Sequence, residues 1–384
     1  MELGRRETGL AKVSMIPLSK PGFPEDSITL WLQTARSAQH TRSIIAEQCE
    51  TLLAEISQRS HAYLTNSCTT ALHALLRGLN IGEGDAVFVS SYSWQATANV
   101  IELVGAVPVF VDIDKSSFNM CPNRLEEEIL RIERDGSLRP ALVVVVHAFG
   151  CIANMYDILQ VCQCRAIPVV EDAACALGAT REGKPAGSFG IAAAFSFHPR
   201  KIVNTGEGGA FVSSSKELYE LAASYCDHGR ATNDKSDFMI AGTNYRLSEL
   251  AAALLLPQLK ILTTLVQERR TLARRYLELL DGLPGVSPTD TGDAHSWQSF
   301  VFLIPEGIHR SQLIAKARAS GIELGTGTVA MPFTRYFRSR YSTVDSQYPT
   351  LSMVHQRALS LPLYSGLSFE SQSQVASFLM GHLR

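Results

Sequence analysis

The sequence lacks three features that mark membrane, nucleic-acid-binding and secreted proteins. It contains no run of about 18 apolar residues, the length that a helix needs to span a bilayer. It has no long basic run, and 35 Lys and Arg against 37 Asp and Glu give a net charge of −2, so nucleic acid is not an expected partner. Its first 15 residues hold no apolar stretch of signal-peptide length. These absences predict a soluble cytoplasmic protein that neither spans a membrane nor binds nucleic acid.

The cysteines do not form a metal-binding pattern. Their spacing includes no CxxC pair and no arrangement typical of metal ligands. Free thiols of this kind suit a reducing compartment, which agrees with the cytoplasmic prediction. We therefore expect free thiols and no metal site among the eight cysteines, which are Cys49, Cys68, Cys121, Cys151, Cys162, Cys164, Cys175 and Cys226.

What the sequence does contain is a pattern of short apolar runs alternating with amphipathic segments. With 384 residues and 46% hydrophobic content, the chain is long enough for one large domain and a smaller one. The alternation is typical of a mostly parallel sheet with helices on both faces, and so predicts an α/β fold. The predicted strands are 86–90, 107–111, 141–147, 167–171, 191–197 and 209–213. The predicted helices are 69–78, 95–104, 124–134, 154–162 and 216–226.

A second region follows a long amphipathic run from Leu247 to about Leu280, in which we predict a break at Pro257. The strand-like "SFVFLI" and the later helical segments 311–319 and 369–383 predict a smaller α+β domain. The predicted division is therefore 1–255, an N-terminal arm and large α/β domain, and 256–384, a linking helix and small C-terminal domain.

Ligands of open α/β sheets bind beyond the carboxyl ends of the strands, and four places there carry residues that could bind a ligand or react. In "TNSCTTALHALL", Ser67, Cys68 and Thr69 precede an Ala/Leu-rich helix. Free N–H groups at a helix N-terminus favour an anion such as phosphate, although a plain helix cap explains the same residues. Asp172 ends an apolar run, and a buried carboxylate needs a partner; the alternative is that it caps the next helix.

The other two places carry Trp94 and Lys201. Trp94 follows a predicted strand, where its ring could cover a flat heterocycle or pack in the core. Lys201 lies shortly after another strand and ahead of the turn "TGEGG". A buried lysine is costly unless it is paired or neutral, and a lowered pKa suits a Schiff-base amine. The alternative is a lysine whose ammonium reaches the surface.

Jointly, these places resemble the fold-type-I pyridoxal phosphate enzymes, in particular the nucleotide-sugar aminotransferases of the DegT/StrS group. A phosphate-type loop, an aromatic residue and an aspartate occur in that order, with a lysine 29 residues after the aspartate. The resemblance covers nearly the whole chain and includes "MIPLSKPGFP", "NSCTTALHALL", "VVEDAACALGA", "FSFHPRK" with "GEGG", and "GTNYRLSELAAALLLPQL". It implies an aspartate aminotransferase-like fold, with a mainly parallel seven-stranded sheet in the large domain and a smaller α+β C-terminal domain.

The resemblance also implies roles around the cofactor pyridoxal 5'-phosphate. Lys201 would hold the cofactor as an internal aldimine and later shuttle a proton, and Asp172 would keep the pyridine nitrogen protonated. Trp94 would stack on the ring. Cys175 stands where the family usually has Gln or His bonded to the cofactor's phenolic oxygen, and a thiol is a weak donor there.

The phosphate contacts implied by the resemblance come from two subunits. The hydroxyl of Ser196 and the N–H groups of Cys68 and Thr69, in the loop that begins at Ser67, would bind the phosphate. Asn244 matches the family residue that reaches the phosphate from the other subunit, which implies a homodimer with shared active sites.

The implied reaction is transfer of an amino group from glutamate or glutamine to a keto-sugar, in particular a nucleotide-linked one. "GIELGTGTVAMPF" lacks the His-Tyr pair that the family carries near the acceptor pocket, and Ile202 replaces the Asn that usually follows the lysine. These two departures leave several acceptor molecules as alternatives. The alternatives are a ketocyclitol or other cyclic ketone as acceptor, a pyridoxal phosphate-dependent dehydratase, and a catalytically idle regulatory relative. Dehydratase members tend to replace the lysine with His.

Overall fold

The protein is described by a computed structural model that covers residues 15–232, 234, 236–283, 285 and 291–383. The helices are α1 (Glu25–Ala35), α2 (Ile44–Ile56), α3 (Cys68–Gly78), α4 (Ala96–Leu103), α5 (Pro122–Asp135), α6 (Met155–Gln163), α7 (Lys216–Cys226), α8 (Glu249–Lys260), α9 (Leu262–Leu279), α10 (Arg310–Ala319), α11 (Arg335–Tyr341), α12 (Pro349–Arg357) and α13 (Phe369–Leu383). The strands are β1 (His61–Thr65), β2 (Asp85–Ser90), β3 (Tyr92–Ser93), β4 (Val107–Val111), β5 (Arg139–Val146), β6 (Val169–Asp172), β7 (Thr180–Arg181), β8 (Lys184–Pro185), β9 (Ala192–Ser196), β10 (Gly209–Ser213), β11 (Phe300–Leu303), β12 (Val329–Ala330) and β13 (Ala358–Leu361).

The large sheet has seven strands in the order β1-β10-β9-β6-β5-β2-β4. Every neighbouring pair from β9 to β4 is parallel, and β10 runs antiparallel to both of its neighbours. The predicted mainly parallel, seven-stranded sheet is therefore confirmed. The carboxyl ends of β5, β6 and β9 meet at one edge of the sheet, where the sequence places its polar residues.

Both faces of the sheet are apolar because helices cover both. Along β5, Val143 and Val145 belong to one buried cluster and Leu142 and Val144 to the other. Successive side chains of a strand point to opposite faces, so one run of Val and Leu supplies both cores. This is why the strand reads in the sequence as an unbroken apolar stretch.

Three elements at the beginning of the chain were not predicted. Helices α1 and α2 and strand β1 precede the first element that the periodicity indicated. β1 is a five-residue strand, "HAYLT", at the edge of the large sheet, where it pairs along its length with β10, and its short mixed sequence gives little period-2 signal. The six strands that were predicted are all present, with ends that differ by up to two residues.

The predicted break at Pro257 is wrong. Pro257 lies inside α8, and the chain bends by 65° at Ile261, between α8 and α9. Pro257 has no N–H to donate to the Ala253 carbonyl one turn earlier. The next carbonyl, that of Leu254, is bound by two side-chain donors, the Ser27 hydroxyl of α1 and the Gln258 amide, at 2.9 and 2.6 Å, which hold this turn of α8 in place. The helix therefore continues for another turn past the proline.

A third apolar cluster lies in the later part of the chain, where β11 pairs antiparallel with β13 and α9, α10 and α13 pack around them. Ile16 joins this part through a bridge to Ile322. The division at residue 255 stays a prediction, and residues 1–14 of its N-terminal arm and residue 384 lie outside the described residues.

Over the described ranges no single helix is both long and apolar enough to cross a membrane. Only α8 and α9 taken together reach that length and apolar content, and they are bent by 65° relative to each other.

Candidate active site

Asp172 is the last residue of β6 and lies, almost fully buried, at the carboxyl edge of the sheet. The Thr97 hydroxyl donates to its Oδ2 at 2.7 Å, and the Ala174 N–H donates to Oδ1 at 3.2 Å. Thr97 in turn lies 3.1 Å from the Ser93 hydroxyl. Neutral donors thus hold the carboxylate in place. Among the described residues, no Lys, Arg or His forms an ion pair with it. The sequence reasoning missed Thr97, although it stands only three residues after Trp94.

Glu171, directly before Asp172, has a structural role that the sequence reasoning also missed. It points to the other face of the strand and is fully buried. Its carboxylate accepts hydrogen bonds from His147 Nε2 at 2.9 Å and from the N–H groups of Gly187, Phe189 and Gly190 at 2.8 Å each. Burial alone would raise the pKa of Glu171, but these donors outweigh it and hold the pKa below its usual value. The adjacent acids in "VVED" were the available signal.

We expect Glu171→Ala to lower the free energy of unfolding by about 3–5 kcal/mol, because it leaves the buried His147 and three N–H groups without their acceptor. Since the folded-state pKa of Glu171 is depressed, its contribution is present above the ordinary value of 4.5 and is lost as the pH falls below it. The acid-side decline in stability should therefore be shallower in the variant.

Urea unfolding at neutral pH and at a series of acidic pH values measures both effects. Glu127→Ala is the matched control, because Glu127 pairs with Arg124 on an exposed helix face and should contribute about 0–1 kcal/mol. A Glu171→Ala protein as stable as the Glu127→Ala protein would refute this role.

Lys201 lies in the loop between β9 and β10, and its Nζ donates to Cys175 Sγ at 3.0 Å. Burial alone would lower the pKa of Lys201, but the nearby Cys175, Cys68 and Asp172 outweigh burial and raise it. In the protein chain by itself Lys201 is therefore paired, which is the first of the two conditions under which the sequence analysis expects a buried lysine. The resemblance assigned Cys175 only to the cofactor's phenolic oxygen, so its contact with Lys201 was not predicted.

The N-terminus of α3 forms an anion-binding geometry. Ser67 caps the helix: its hydroxyl accepts from the Thr70 N–H at 3.1 Å, and Thr70 Oγ1 accepts from the Ser67 N–H at 3.2 Å. The N–H groups of Cys68 and Thr69 are in the first turn, where the helix has no internal acceptors for them. Burial raises the pKa of the Cys68 thiol, so the side chain stays neutral beside this cradle.

Gly209 explains the last glycine of "GEGG". A Cβ atom at this position would lie 2.3 Å from the Cys68 nitrogen and 2.3 Å from the Ser67 carbonyl carbon. The backbone of β10 therefore approaches the start of α3 to a distance that only glycine permits. Ser196, the last residue of β9, pairs with Gly209 in the neighbouring strand, which brings its hydroxyl to the same corner.

Trp94 and Asn244 are exposed in the single chain. Trp94 follows β3 and has 62% of its surface accessible. β3 pairs with β12, the Val329–Ala330 segment, which lies within the stretch 321–333 where the resemblance led us to expect a His-Tyr pair. Asn244 precedes Tyr245, whose carbonyl accepts from the Asn66 N–H at 2.7 Å, so this segment borders the loop before α3.

All of the predicted site residues except Asn244 thus come from the carboxyl edge of the sheet or the loops that border it. The model of the DegT/DnrJ/EryC1/StrS aminotransferase family matches residues 24–380. The chain belongs to this family.

Three relatives of this DegT/DnrJ/EryC1/StrS member illustrate the similarity. A UDP-4-amino-4-deoxy-L-arabinose--oxoglutarate aminotransferase from Shewanella sediminis (strain HAW-EB3) is 29% identical over 94% of this chain and 96% of its own. Helicobacter pylori PseC, an aminotransferase involved in the biosynthesis of pseudoaminic acid, has a TM-score of 0.90 at 25% identity, over 96% of this chain and 99% of its own. Spr1654 from Streptococcus pneumoniae, solved in its PLP form, has a TM-score of 0.88 at 26% identity, over 95% and 97% of the two chains.

Family membership makes the protein a pyridoxal phosphate-dependent aminotransferase, and its residues fit that cofactor. The free N–H groups at the start of α3 suit a phosphate, and the amine of Lys201 lies close enough to the carboxylate of Asp172 for their charges to interact. Within the described residues no group of three or more His, Cys, Asp or Glu could hold a metal ion.

Proposed function

We propose that the protein transfers an amino group from glutamate or glutamine to a keto-sugar, in particular a nucleotide-linked one, and that Lys201 and Asp172 carry the chemistry. The observation that carries this proposal is the cluster of Lys201, Cys175 and Asp172 beside the N-terminus of α3, at the carboxyl edge of the sheet. Pyridoxal phosphate, when bound, supplies a carbonyl carbon that carries nitrogen and a ring that accepts electrons.

Each residue has one task in this proposal. Lys201 binds the cofactor through Nζ and, when its amine is free, moves a proton to or from the substrate carbon. Asp172, fixed by Thr97, holds a proton on the ring nitrogen. The Cys68 and Thr69 N–H groups and the Ser196 hydroxyl bind the phosphate.

Cys175 and Trp94 orient the ring in this proposal. The Cys175 thiol already contacts Lys201 at 3.0 Å, so it faces the reacting end of the pocket. Trp94 covers one face of the ring, and its indole is accessible for that purpose in the single chain.

The acceptor pocket differs from the family pattern on the side of β12. Val329 and Ala330 pair with β3 directly before Trp94, and Met331 is fully buried in the core. No His or Tyr occurs in the stretch 321–333, where a His-Tyr pair was expected, and the side chains of β12 can neither donate nor accept a hydrogen bond. Tyr92 compensates in part, because its hydroxyl accepts from the Thr328 N–H at 3.2 Å and fixes this loop.

A two-stage assay tests the proposed reaction. Glutamate or glutamine is added to the cofactor-loaded protein, and the loss of the visible cofactor band and the formation of keto acid are measured. The amino-loaded protein is then offered nucleotide-linked keto-sugars and free ketocyclitols. Return of the visible band with a nucleotide-linked keto-sugar supports the proposal; return only with a ketocyclitol supports that alternative, and no response to any amino donor contradicts aminotransfer.

We also propose a homodimer in which Asn244 of each protomer completes the phosphate site of the other. The single chain leaves a large apolar surface near this segment: Phe238, Met239 and Ile240 are exposed shortly before Asn244. Exposed apolar residues in such numbers mark an interface.

Mixed dimers test this arrangement. Asn244→Asp should weaken cofactor binding by about 10-fold or more, because it places a carboxylate beside the phosphate. A dimer of one Lys201→Ala and one Asn244→Asp protomer should contain one intact site if the residues come from different protomers. At a cofactor concentration that fills the wild-type site and leaves the Asn244→Asp site largely empty, we expect the mixed dimer to reach about half of the wild-type activity. A mixed dimer no more active than the average of its two parents would place both residues in the same protomer's site.

A cytoplasmic location completes the proposal. All eight cysteines lie in the described residues and are free, which suits a reducing compartment.

A further inference from the structure

The loop that carries Lys201 depends on side chains from distant elements. Within the loop, the Lys201 N–H donates to the His198 carbonyl at 2.8 Å. The Thr205 N–H donates to the Phe197 carbonyl at 2.9 Å and so joins the two ends of the loop. On its far side, both backbone groups of Asn204 are bound by one buried side chain, Gln258 of α8, at 3.1 and 2.7 Å. The end of the loop is therefore anchored independently of Lys201 itself.

A second buried glutamine, Gln298, binds the backbone on both sides of Lys201. Its Oε1 accepts from the Ile202 N–H at 3.0 Å, and its Nε2 donates to the Arg200 carbonyl. These two groups belong to the two peptide bonds that flank Lys201. One side-chain amide thus fixes the direction in which the Lys201 side chain leaves the backbone.

Gln298 is itself held rigidly. The Arg269 guanidinium of α9 donates to the Gln298 carbonyl and to the Leu363 carbonyl, both at 3.1 Å. Trp297, the preceding residue, has a φ of 54°, an unusual conformation for a side chain of this size, and the surrounding structure maintains it. Two residues before Gln298, the Ser296 hydroxyl donates to the Cys175 carbonyl at 2.8 Å. The same short segment therefore contacts both partners of the Lys201–Cys175 pair.

We propose that Gln298 is a positioning residue for Lys201: its amide holds both flanking peptide bonds so that Nζ stays aimed at Cys175 and the reacting carbon. The inference rests on the proposed role of Lys201. Gln298 lies just before β11, 97 residues after Lys201 in the sequence, and so comes from a different part of the chain than the other site residues. Gln298 acts through Lys201 and does not touch the substrate.

Gln298→Met tests the proposal because Met keeps the length of the side chain and removes both hydrogen bonds. We expect kcat to fall by about 10- to 100-fold, since a small misplacement of a catalytic group has an effect of this size, while KM for glutamate changes little. Hydrogen exchange of the Ile202 amide in the cofactor-loaded protein should become about 5- to 10-fold faster, because its acceptor is gone.

Gln372→Met is the matched control. Gln372 is fully buried in α13, its Nε2 donates to the Leu272 carbonyl at 2.8 Å, and it does not contact the lysine loop. This variant also removes a buried side-chain amide, which makes one hydrogen bond instead of two, so it should lose somewhat less stability and keep kcat and Ile202 exchange at the wild-type values. Equal losses of kcat in the two variants would overturn the proposal and assign Gln298 to general stability alone.

The remaining outcomes separate this inference from the proposed function. If the cofactor of the wild-type protein is attached to Lys201 and Gln298→Met exchanges faster at Ile202 but keeps its kcat, the inference is wrong and the proposed function stands. If the cofactor is attached elsewhere, both are wrong.

Discussion

Replacing Lys201 with alanine is expected to lower kcat by about 10⁴-fold or more, because one amine both attaches the cofactor and moves the proton. The variant should also lack the visible absorption band of lysine-bound pyridoxal phosphate, although the phosphate site at α3 remains. Steady-state assays with glutamate and an absorption spectrum of the purified protein measure the two effects.

Lys201→Arg is the matched control for this experiment. It keeps a cation beside Cys175, but a guanidinium is always protonated and cannot attach the cofactor or act as a base. Both variants should therefore be inactive while the arginine variant keeps the wild-type stability more closely. A Lys201→Ala protein that still converted glutamate at the wild-type rate would exclude Lys201 from the chemistry.

Asp172→Asn is expected to lower kcat by about 10²- to 10³-fold with a small change in KM. An asparagine keeps the shape of the side chain and can still accept from the Thr97 hydroxyl, but it has no charge with which to hold a proton on the ring nitrogen. The effect is therefore on the rate of proton removal and not on substrate binding. Single-turnover reaction with glutamate, followed through the visible band, measures that step directly.

Asp112→Asn provides the control for burial of a carboxylate. Asp112 is also buried, but it accepts from the Thr350 and Leu351 N–H groups at the start of α12. This substitution should reduce stability and leave the single-turnover rate unchanged. Equal rates in the Asp172→Asn and wild-type proteins would show that the carboxylate is not needed for chemistry.

Much of the large domain could be predicted because its strands are buried on both faces. The apolar runs around Val143 and Val109 predict buried strands of a parallel sheet. The polar residues that end such runs mark the edge of the sheet where ligands bind. Asp172 was found in this way. Edge strand β1 was missed because its five residues carry little periodic signal, and α1 and α2 because they lie outside the alternating pattern.

The support around the site could not be predicted, for a different reason. Thr97, Glu171 and Gln298 act through contacts between segments that are far apart in sequence, and no local pattern specifies which amide or hydroxyl meets which backbone group. The bend at Ile261 has the same origin. Pro257 indicated a break, but α8 continues to Lys260, and it packs against α1, where the Ser27 hydroxyl donates to the Leu254 carbonyl.

The pKa of Lys201 depends on the groups around the amine as well as on its burial. Burial alone lowers the pKa of an amine, whereas a nearby carboxylate or thiolate raises it. Cys175, Cys68 and Asp172 together reverse the direction. The amine is therefore expected to be protonated until the cofactor binds.

The most direct test of the account is to locate the cofactor on the chain. The purified, cofactor-loaded protein is reduced with borohydride, digested and analysed by mass spectrometry. The account predicts a phosphopyridoxyl group on the peptide that contains Lys201 and on no other lysine. A label on a different lysine, or no label in a protein that still converts glutamate, would contradict it.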